Sequence, residues 1–178
     1  MGQFVSDVKR IRERARAHME SGAVTDSYKA DRKRVIDVLN DVLATEIVCV
    51  LRYKRHYFMA RGVNSESVKQ EFAQHAAEEQ QHADWVAERI VQLGGSPDFN
   101  PEGLTRHSHS EYSKDDDLLS MVREDLVAER VAIESYSEIV RWLGNDDPTT
   151  RRVIEDILKA EEEHADDMAN LLDKVSRS

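Results

Sequence analysis

Two glutamate–histidine pairs carry the strongest chemical signal in this sequence. Glu79 precedes His82 by three residues, and Glu161 precedes His164 by the same spacing. Side chains three residues apart lie on neighbouring surface of an α-helix, so the carboxylate and imidazole of each pair can reach one metal region. A single pair of this kind is a weak signal, because glutamate is abundant in the chain. The hypothesis of a metal site therefore depends on what surrounds the two pairs.

Glu46 and Glu129 are two further acids, and each interrupts a stripe of apolar residues spaced by three and four positions. Such steps place side chains on one helix face. An ionised carboxylate facing a core is very costly unless it is paired or bound to metal, and four of them would repel one another. The stripes contain no Lys or Arg, which disfavours buried salt bridges and favours two divalent cations. The four stripes are Leu39, Leu43, Glu46, Val50, Tyr53 and Tyr57; Phe72, Ala76, Glu79, Ala83, Val86 and Ile90; Val122, Leu126, Glu129, Ile133 and Tyr136; and Ile154, Leu158, Glu161, Ala165 and Met168.

The two halves of the sequence repeat this arrangement. Glu46 and Glu79 are 33 residues apart, and Glu129 and Glu161 are 32 apart. The letters EQQHAD at residues 79–84 also match EEEHAD at residues 161–166. Such self-similarity indicates two related helical hairpins that enclose one pseudo-symmetric site. We therefore predict a six-ligand centre made of Glu46, Glu79, His82, Glu129, Glu161 and His164.

Further side chains close to these positions each have a structural explanation beside a chemical one. Tyr53 and Tyr136 each lie seven residues after a lone acid, and we interpret both as core tyrosines with hydrogen-bonded hydroxyls rather than redox residues. His75 lies one turn before Glu79 and is either a core histidine or a residue that orients a ligand. We assign Glu78, Glu162 and Glu163 to the charged surface. His107 and His109 are either solvated loop histidines or part of an outlying metal site. Cys49 is expected to be a small buried side chain.

Gly and Pro divide the chain into a short leading helix and four long helical segments, which predicts an all-α four-helix bundle. Short connections make the first two and the last two segments antiparallel hairpins. The long connection over 94–114 can run along the bundle and join two parallel helices. The expected segments are 6–20, 30–61, a third that starts after the candidate caps Asn64 and Ser65 and ends at Leu93, a fourth from about 115 to 143, and a fifth that opens with Asp147 and Pro148. We expect an N-terminal helical extension over 1–29 and the bundle over 30–178.

Composition limits the function further. The chain has 178 residues and a net charge of −10, and the acidic body discourages broad nucleic-acid binding. Residues 1–34 are instead basic, and Lys9, Arg10, Arg12, Arg14 and Arg16 could contact DNA phosphates, although intervening acids favour an ordinary solvated or interface helix. We expect no membrane segment and no signal peptide. A single cysteine, Cys49, excludes an intrachain disulfide, and a cytoplasmic location is the simplest expectation.

At these residues the sequence resembles the bacterioferritin and bacterioferritin-like branch of the ferritin superfamily, over roughly residues 34–172. One Glu from each of two helices plus Glu-x-x-His from each of the other two is the known di-iron ligand pattern of ferritin-like bundles. The resemblance implies that Glu46 and His82 bind one iron, that Glu129 and His164 bind the other, and that Glu79 and Glu161 bridge the pair. Tyr53 falls where the family carries a tyrosine near the di-iron centre, a candidate electron or hydrogen-bond donor.

Two departures from the family modify this expectation. Gln80 occupies the position of the haem-ligating Met, so we expect two iron ions per subunit and no haem. The chain extends only 14 residues beyond His164, which leaves no room for a fifth helix and favours a homo-oligomeric dodecamer over a 24-mer. These features resemble Dps-like mini-ferritins that carry a bacterioferritin-type site, although the cysteine pair common in those relatives is absent here.

The expected activity is oxidation of Fe(II) to Fe(III) by dioxygen or hydrogen peroxide, for iron storage or detoxification and protection against oxidative stress. One alternative is a rubrerythrin-like protein that reduces peroxide, although the chain lacks the Cys-x-x-Cys of a rubredoxin module. The other alternative is a Dps-like protein that protects DNA.

Overall fold

The structure is a computed structural model that describes residues 7–62 and 65–177. This part of the chain is helical and contains no β-strand, which confirms the predicted all-α class. Four long helices form the bundle, and two short ones lie outside it. The helices are α1 (Val8–Ala17), α2 (Arg32–Met59), α3 (Ser65–Gln92), α4 (Leu104–His107), α5 (Leu118–Leu143) and α6 (Pro148–Ser176), with a 3-10 turn at Met19–Ser21.

An aspartate caps the N-terminus of three of the long helices. Asp31, Asp117 and Asp147 each accept a hydrogen bond from the backbone N–H three residues further on. Such a bond satisfies one of the amide groups that a helix start leaves without a partner. The predicted start of the last helix is confirmed, with Asp147 as the cap and Pro148 as the first residue. Of the two caps predicted for α3, Ser65 is itself the first helical residue, whereas Asn64 lies outside the described residues.

Helices α2 and α3 form one antiparallel hairpin. Tyr53 of α2 packs against His75 of α3, whereas Glu46, two turns earlier, faces His82, two turns later. Helices α5 and α6 form the second hairpin: Gly144 ends α5, and the side chain of Arg151, near the start of α6, donates to the carbonyl of Gly144. The short connections therefore join antiparallel helices, as their lengths predict.

The two hairpins pack against each other so that α3 and α5 run in the same direction. Glu46 and Tyr53 of α2 contact Tyr136 and Glu129 of α5, respectively, so the order of the contacts is reversed along the two helices. Helix α2 is therefore antiparallel to α5 as well as to α3. The connection between α3 and α5 joins parallel helices, as predicted from its length.

That connection follows α2 and is held to it by polar side chains. His107 Nδ1 lies 2.9 Å from Asp41 Oδ1, and the backbone N–H of His109 donates to Thr45 Oγ1. Further along, Arg52 donates to the carbonyl of Glu111. The connection is thus ordered, and it contains the one-turn helix α4, which the sequence does not predict.

Two apolar clusters fill the bundle on either side of the acids. The stripe predicted on α2 holds as far as Tyr53, but Tyr57 is 37% exposed, and His56 is buried in its place. A seven-residue repeat drifts by roughly 20° per heptad on a straight helix, so the buried face has moved by this point. One cluster contains Val35, Leu39, Leu43, Val86, Ile90, Tyr136 and Ile157, and the other contains Tyr53, Phe72, Met121, Val122 and Met168.

The N-terminal part meets the bundle at one end. Helix α1 buries no side chain, whereas the Tyr28 hydroxyl donates to Asp147 Oδ2 at 2.8 Å and the Tyr28 ring packs against the core. The predicted leading helix included Ser6, which lies outside the described residues. The division into an extension over 1–29 and a bundle over 30–178 stays a prediction. No helix in the described part is long and apolar enough to cross a membrane.

Candidate metal centre

The six predicted ligands meet in the middle of the bundle, between the two apolar clusters. Helices α2 and α5 contribute one glutamate each, and α3 and α6 contribute one glutamate–histidine pair each. None of the six side chains is more than 3% exposed. They form two groups of four, within each of which the ligand atoms lie within 4.8 Å of one another. The groups are Glu46, Glu79, His82 and Glu161, and Glu79, Glu129, Glu161 and His164.

Each histidine is surrounded by three carboxylates. His82 Nδ1 lies 3.2 Å from Glu161 Oε1, 3.3 Å from Glu46 Oε2 and 3.6 Å from Glu79 Oε2. His164 Nδ1 lies 3.4 Å from Glu79 Oε1, 3.4 Å from Glu161 Oε2 and 3.9 Å from Glu129 Oε2. The same nitrogen, Nδ1, therefore faces the centre in both halves.

Glu79 and Glu161 belong to both groups, and each divides its two oxygens between them. Glu79 Oε2 faces His82 while Glu79 Oε1 faces His164. Glu161 directs Oε1 to His82 and Oε2 to His164. A carboxylate placed in this way can bind two cations at once, one through each oxygen. The lone acids lie on one side each, Glu46 beside His82 and Glu129 beside His164.

The donor atoms of this centre fit a pair of cations. In the described part of the chain, seven buried side-chain N or O atoms have no hydrogen-bond partner, and five of them belong to the centre. Buried polar atoms in folded proteins are nearly always hydrogen-bonded or bound to an ion. These atoms instead face one another at ion-pair distances without hydrogen-bond geometry. The five are Glu46 Oε2, Glu79 Oε1, His82 Nδ1, Glu161 Oε1 and His164 Nδ1.

The electrostatics of the metal-free centre favour bound protons on the two lone acids and the two histidines, whereas hydrogen bonds from the histidines outweigh burial and hold the pKa of Glu79 below its usual value. Burial, reinforced by the charges of the neighbouring glutamates, raises the pKa of Glu46 and of Glu129 well above the usual value. Burial alone would lower the pKa of the two histidines, but contacts with the surrounding carboxylates outweigh it. The pKa of His82 is therefore raised, and that of His164 rises to about 12. Cations entering this centre must displace those protons.

Two tyrosines hold the lone acids in place. The Tyr53 hydroxyl donates to Glu129 Oε1, and the Tyr136 hydroxyl donates to Glu46 Oε1. Burial, and then the charge of the neighbouring glutamate, raises the pKa of each phenol well above its usual value. Both residues are thus core tyrosines with hydrogen-bonded hydroxyls, as predicted. The role of Tyr53 as an electron donor stays a prediction.

Glu78 and His75 contact the centre more closely than their sequence positions indicate. Glu78 was predicted to be surface charge, but its Oε2 lies 2.7 Å from Nε2 of His164. His75 is fully buried, with its ring stacked on that of His164 at 4.0 Å between centroids. The rotation of α3 against α6 brings these side chains together, and no spacing within one helix reveals that rotation. Glu162 and Glu163 are exposed, as predicted.

A second buried polar cluster lies one turn away from the centre and was not predicted. Arg52 Nε donates to Asp125 Oδ1 at 2.9 Å, and His56 Nδ1 lies 2.8 Å from Asp125 Oδ2. Asp125 precedes Glu129 by four residues on the same face of α5, and this spacing is the signal that would have located it. The cluster joins α2, α5 and the connection before α5.

The remaining predicted residues lie away from the centre. His107 pairs with Asp41 at the surface, and the ring of His109 packs edge-on against Tyr136. Cys49 is buried, as expected. Gln80, the residue at the haem-ligand position, is exposed and donates to Asp84.

Proteins similar to this chain in sequence include bacterioferritins and DNA-binding stress proteins. The bacterioferritin of Desulfovibrio desulfuricans is 28% identical over 138 residues, which cover 76% of this chain and 73% of that protein. The nutrient stress-induced DNA-binding protein of a Synechococcus strain is also 28% identical, over 144 residues, 78% of this chain and 81% of that protein.

The solved structures agree with the sequence matches. The dodecameric thioferritin of Bacteroides fragilis, a bacterioferritin-related protein, has a TM-score of 0.80 at 32% identity and covers 84% of this chain and 90% of its own. An archaeal Dps homologue from Halobacterium salinarum has a TM-score of 0.76 at 26% identity, with 81% and 82% covered. The sequence profile of the ferritin family, described as the ferritin-like domain, matches residues 36–178, a range that contains all six residues of the centre. This chain therefore belongs to the ferritin-like family.

Proposed function

We propose that this protein is a ferroxidase that binds two Fe(II) ions and oxidises them to Fe(III), for iron storage or detoxification and for protection against oxidative stress. The observation that carries the proposal is the division of the oxygens of Glu79 and Glu161 between two ligand groups. Each shared carboxylate can hold two cations close together, which is what two-metal chemistry requires.

The ligand roles follow from the two groups. Glu46 and His82 bind one Fe(II), Glu129 and His164 bind the other, and Glu79 and Glu161 bridge them. With hydrogen peroxide as oxidant, two Fe(II) each give one electron, and two protons are consumed as two water molecules form. With dioxygen, the same two electrons and two protons give one hydrogen peroxide. The bundle contributes a buried site and fixed donor positions, and no haem is part of this proposal.

Neighbouring side chains keep the ligands oriented. Glu78 accepts from Nε2 of His164, which leaves the Nδ1 lone pair directed at the centre. The hydroxyls of Tyr53 and Tyr136 each engage one oxygen of a lone glutamate, and the other oxygen of that glutamate faces a histidine. Glu46 and Glu129 can then change binding mode as the iron charge changes, with the tyrosine as a second partner.

Fe(II) oxidation tests the proposal directly. Stopped-flow addition of Fe(II) in air, or of peroxide to the anaerobic Fe(II) form, should produce ferric absorbance in the wild type. Glu46→Ala or His164→Ala should abolish the fast phase while circular dichroism shows intact helices. Glu162→Ala, an exposed neighbour of the ligands, is the matched control. Wild-type rates in both ligand variants would contradict the proposed site.

Storage requires a closed assembly, and we propose a homo-oligomer, a dodecamer in preference to a 24-mer. Large apolar side chains are exposed on the bundle, including Leu51, Phe58 and Trp142. These side chains are available for contacts with other copies of the chain, and the Bacteroides fragilis relative is dodecameric. Native mass and iron content of the purified protein test this together. A dimer that retains only two irons per chain would exclude storage.

The N-terminal helix supports a second function, Dps-like protection of DNA. Helix α1 is exposed along its whole length and carries Lys9, Arg10, Arg12, Arg14 and Arg16. Two relatives are named for DNA binding or protection. Phosphate contacts through such a helix would be independent of DNA sequence and sensitive to salt. A gel shift at physiological salt that disappears when residues 1–20 are removed would support this function, and no shift would exclude it.

A further inference from the structure

Three potential ligands lie next to the His164 half of the centre but outside it. Glu71 and His75 come from α3, Asp167 comes from α6, and one ligand atom of each lies within 4.8 Å of the others. His75 Nε2 is 3.6 Å from Asp167 Oδ2. The side chain of Asp167 is 51% exposed, Glu71 is partly exposed and His75 is fully buried. This cluster, which we name the outer site, therefore extends from solvent to a ring that stacks on His164.

The hydrogen bonds around Tyr53 determine which nitrogen of His75 carries a proton. The single hydroxyl proton of Tyr53 is donated to Glu129. His75 Nδ1 lies 3.2 Å from the same hydroxyl oxygen, which has only acceptor capacity left. His75 must therefore donate from Nδ1, and a neutral imidazole then carries its lone pair on Nε2. That lone pair is the atom that would bind a metal ion in the outer site.

His75 Nε2 is also a buried atom without a partner. It is one of the seven buried side-chain atoms that lack a hydrogen bond in the described residues. The 3.6 Å separation from Asp167 is too long for a hydrogen bond. A cation held between His75 Nε2 and the two carboxylates would supply the missing partner and would offset the repulsion between Glu71 and Asp167.

The pseudo-symmetric half of the protein has no equivalent of these ligands. Because Glu79 corresponds to Glu161 and His82 to His164, the counterparts of Glu71, His75 and Asp167 are Val153, Ile157 and Trp85. Ile157 belongs to the apolar core, and the Trp85 ring packs against His82 at 5.5 Å between centroids. The bundle geometry alone therefore does not require polar residues at these positions, and one end of the centre carries an additional ligand set that the other end replaces with apolar side chains.

We propose that Glu71, His75 and Asp167 form a third, mononuclear site for a divalent transition-metal ion, present only on the His164 side of the centre. One imidazole and two carboxylates are donors that Fe(II), Co(II) and Zn(II) accept. We assign Fe(II) as the natural ion, which would bind beside His164 before it enters the centre. This assignment rests on the proposed ferroxidase function. The binding site itself does not depend on that function.

Anaerobic Co(II) binding tests the outer site in the intact protein. Calorimetry and native mass spectrometry should find three ions per chain in the wild type and two in the Glu71→Gln, Asp167→Asn double variant. The matched control is Glu66→Gln, Asp166→Asn, which changes an exposed acid on each of the same two helices and should retain three. Asp167→Asn alone should weaken the third binding event by about tenfold or more.

Anomalous diffraction at the cobalt edge then separates this inference from the proposed function. Peaks at the outer site and at two central positions support both. Central peaks without an outer peak, or equal stoichiometry in the wild type and the Glu71→Gln, Asp167→Asn variant, overturn the outer site and leave the ferroxidase proposal standing. An outer peak without central peaks supports the outer site and contradicts the ferroxidase proposal.

Discussion

Nε2 of His164 lies 2.7 Å from Oε2 of Glu78, and this contact makes the two halves of the centre unequal. Burial alone would raise the pKa of Glu78, but hydrogen bonds from His164 and Gln74 outweigh it and hold the pKa below its usual value. The pseudo-symmetric counterpart of Glu78 is Ala160, which has no acceptor to offer His82. Among the residues that the structure describes, only the His164 half therefore has a carboxylate that orients its imidazole through Nε2.

Replacing Glu78 should weaken one metal position and spare the other. In Glu78→Ala, we expect metal affinity at the His164 half to fall about 10–100-fold, because partners of this kind fix ligand tautomer and orientation. Calorimetry with Co(II) under anaerobic conditions should resolve one weakened and one unchanged central event. Glu162→Ala should bind as the wild type does. If metal affinity fell equally at both central positions, Glu78 would act only through its negative charge and not by orienting His164.

The metal-free protein should lose stability as pH rises. The raised pKa values of His82 and His164 stabilise the fold fully below the unfolded value of about 6.5, and this stabilisation is lost as pH rises towards the folded values, about 12 for His164. Glu46 and Glu129 act in the same direction, because their folded pKa values are raised and their ionisation inside the bundle is costly. Thermal unfolding of the metal-free protein should therefore occur at lower temperature at about pH 9 than at about pH 6.5.

Bound metal should remove or reverse that dependence, since cations displace the protons and bind more tightly as pH rises. Unfolding of the Zn(II)-loaded protein over the same range provides the comparison. Glu46→Gln should reduce the pH dependence of the metal-free form, because one of the raised groups is gone. A metal-free unfolding temperature that stays level or increases with pH would show that these protons are not held as the structure indicates.

Tyr53 and Tyr136 form a matched pair for testing the electron-donor role. Tyr136→Phe should lose one buried hydrogen bond and Tyr53→Phe two, each worth roughly 1 kcal/mol of folding stability. We expect Tyr53→Phe to slow single-turnover oxidation about tenfold and Tyr136→Phe to change it far less, because Tyr53 alone also contacts His75. Stopped-flow absorbance with rapid-freeze paramagnetic resonance measures both. Equal effects of the two substitutions would assign both tyrosines to ligand positioning only.

The Arg52–Asp125 pair should matter for folding. Asp125→Ala leaves the Arg52 guanidinium and the His56 ring without their buried carboxylate, and breaking a buried pair costs about 3–5 kcal/mol. Urea unfolding of the metal-free protein measures the loss. Asp116→Asn is the control, because the Asp116 side chain is largely exposed and its pair with Arg55 should contribute less than about 1 kcal/mol. Similar losses in both variants would contradict a special role for the buried cluster.

Repeating residue spacings along the chain were enough to predict the four long helices and the residues of the centre. Apolar steps of three and four predicted the long helices, and Asp147 with Pro148 marked the start of the last one, because these signals act within a few residues of backbone. The acids within the stripes identified four of the six residues that meet in the centre, since a carboxylate on a buried helix face needs a partner wherever the helices finally pack. The spacing of three after Glu79 and Glu161 added His82 and His164. The length of the connection before α5 predicted two parallel helices.

Only the tertiary structure decided how the helices are rotated against one another. That rotation brings Glu78 into contact with His164 and places His75 next to Asp167. It also places the two oxygens of Glu79 opposite different histidines. Likewise, Arg52 and Asp125 form a buried ion pair although they are 73 residues apart in the chain. Spacing within a helix specifies which residues share a face, but the facing atoms on a neighbouring helix depend on side-chain packing summed over the whole bundle, which no local pattern contains.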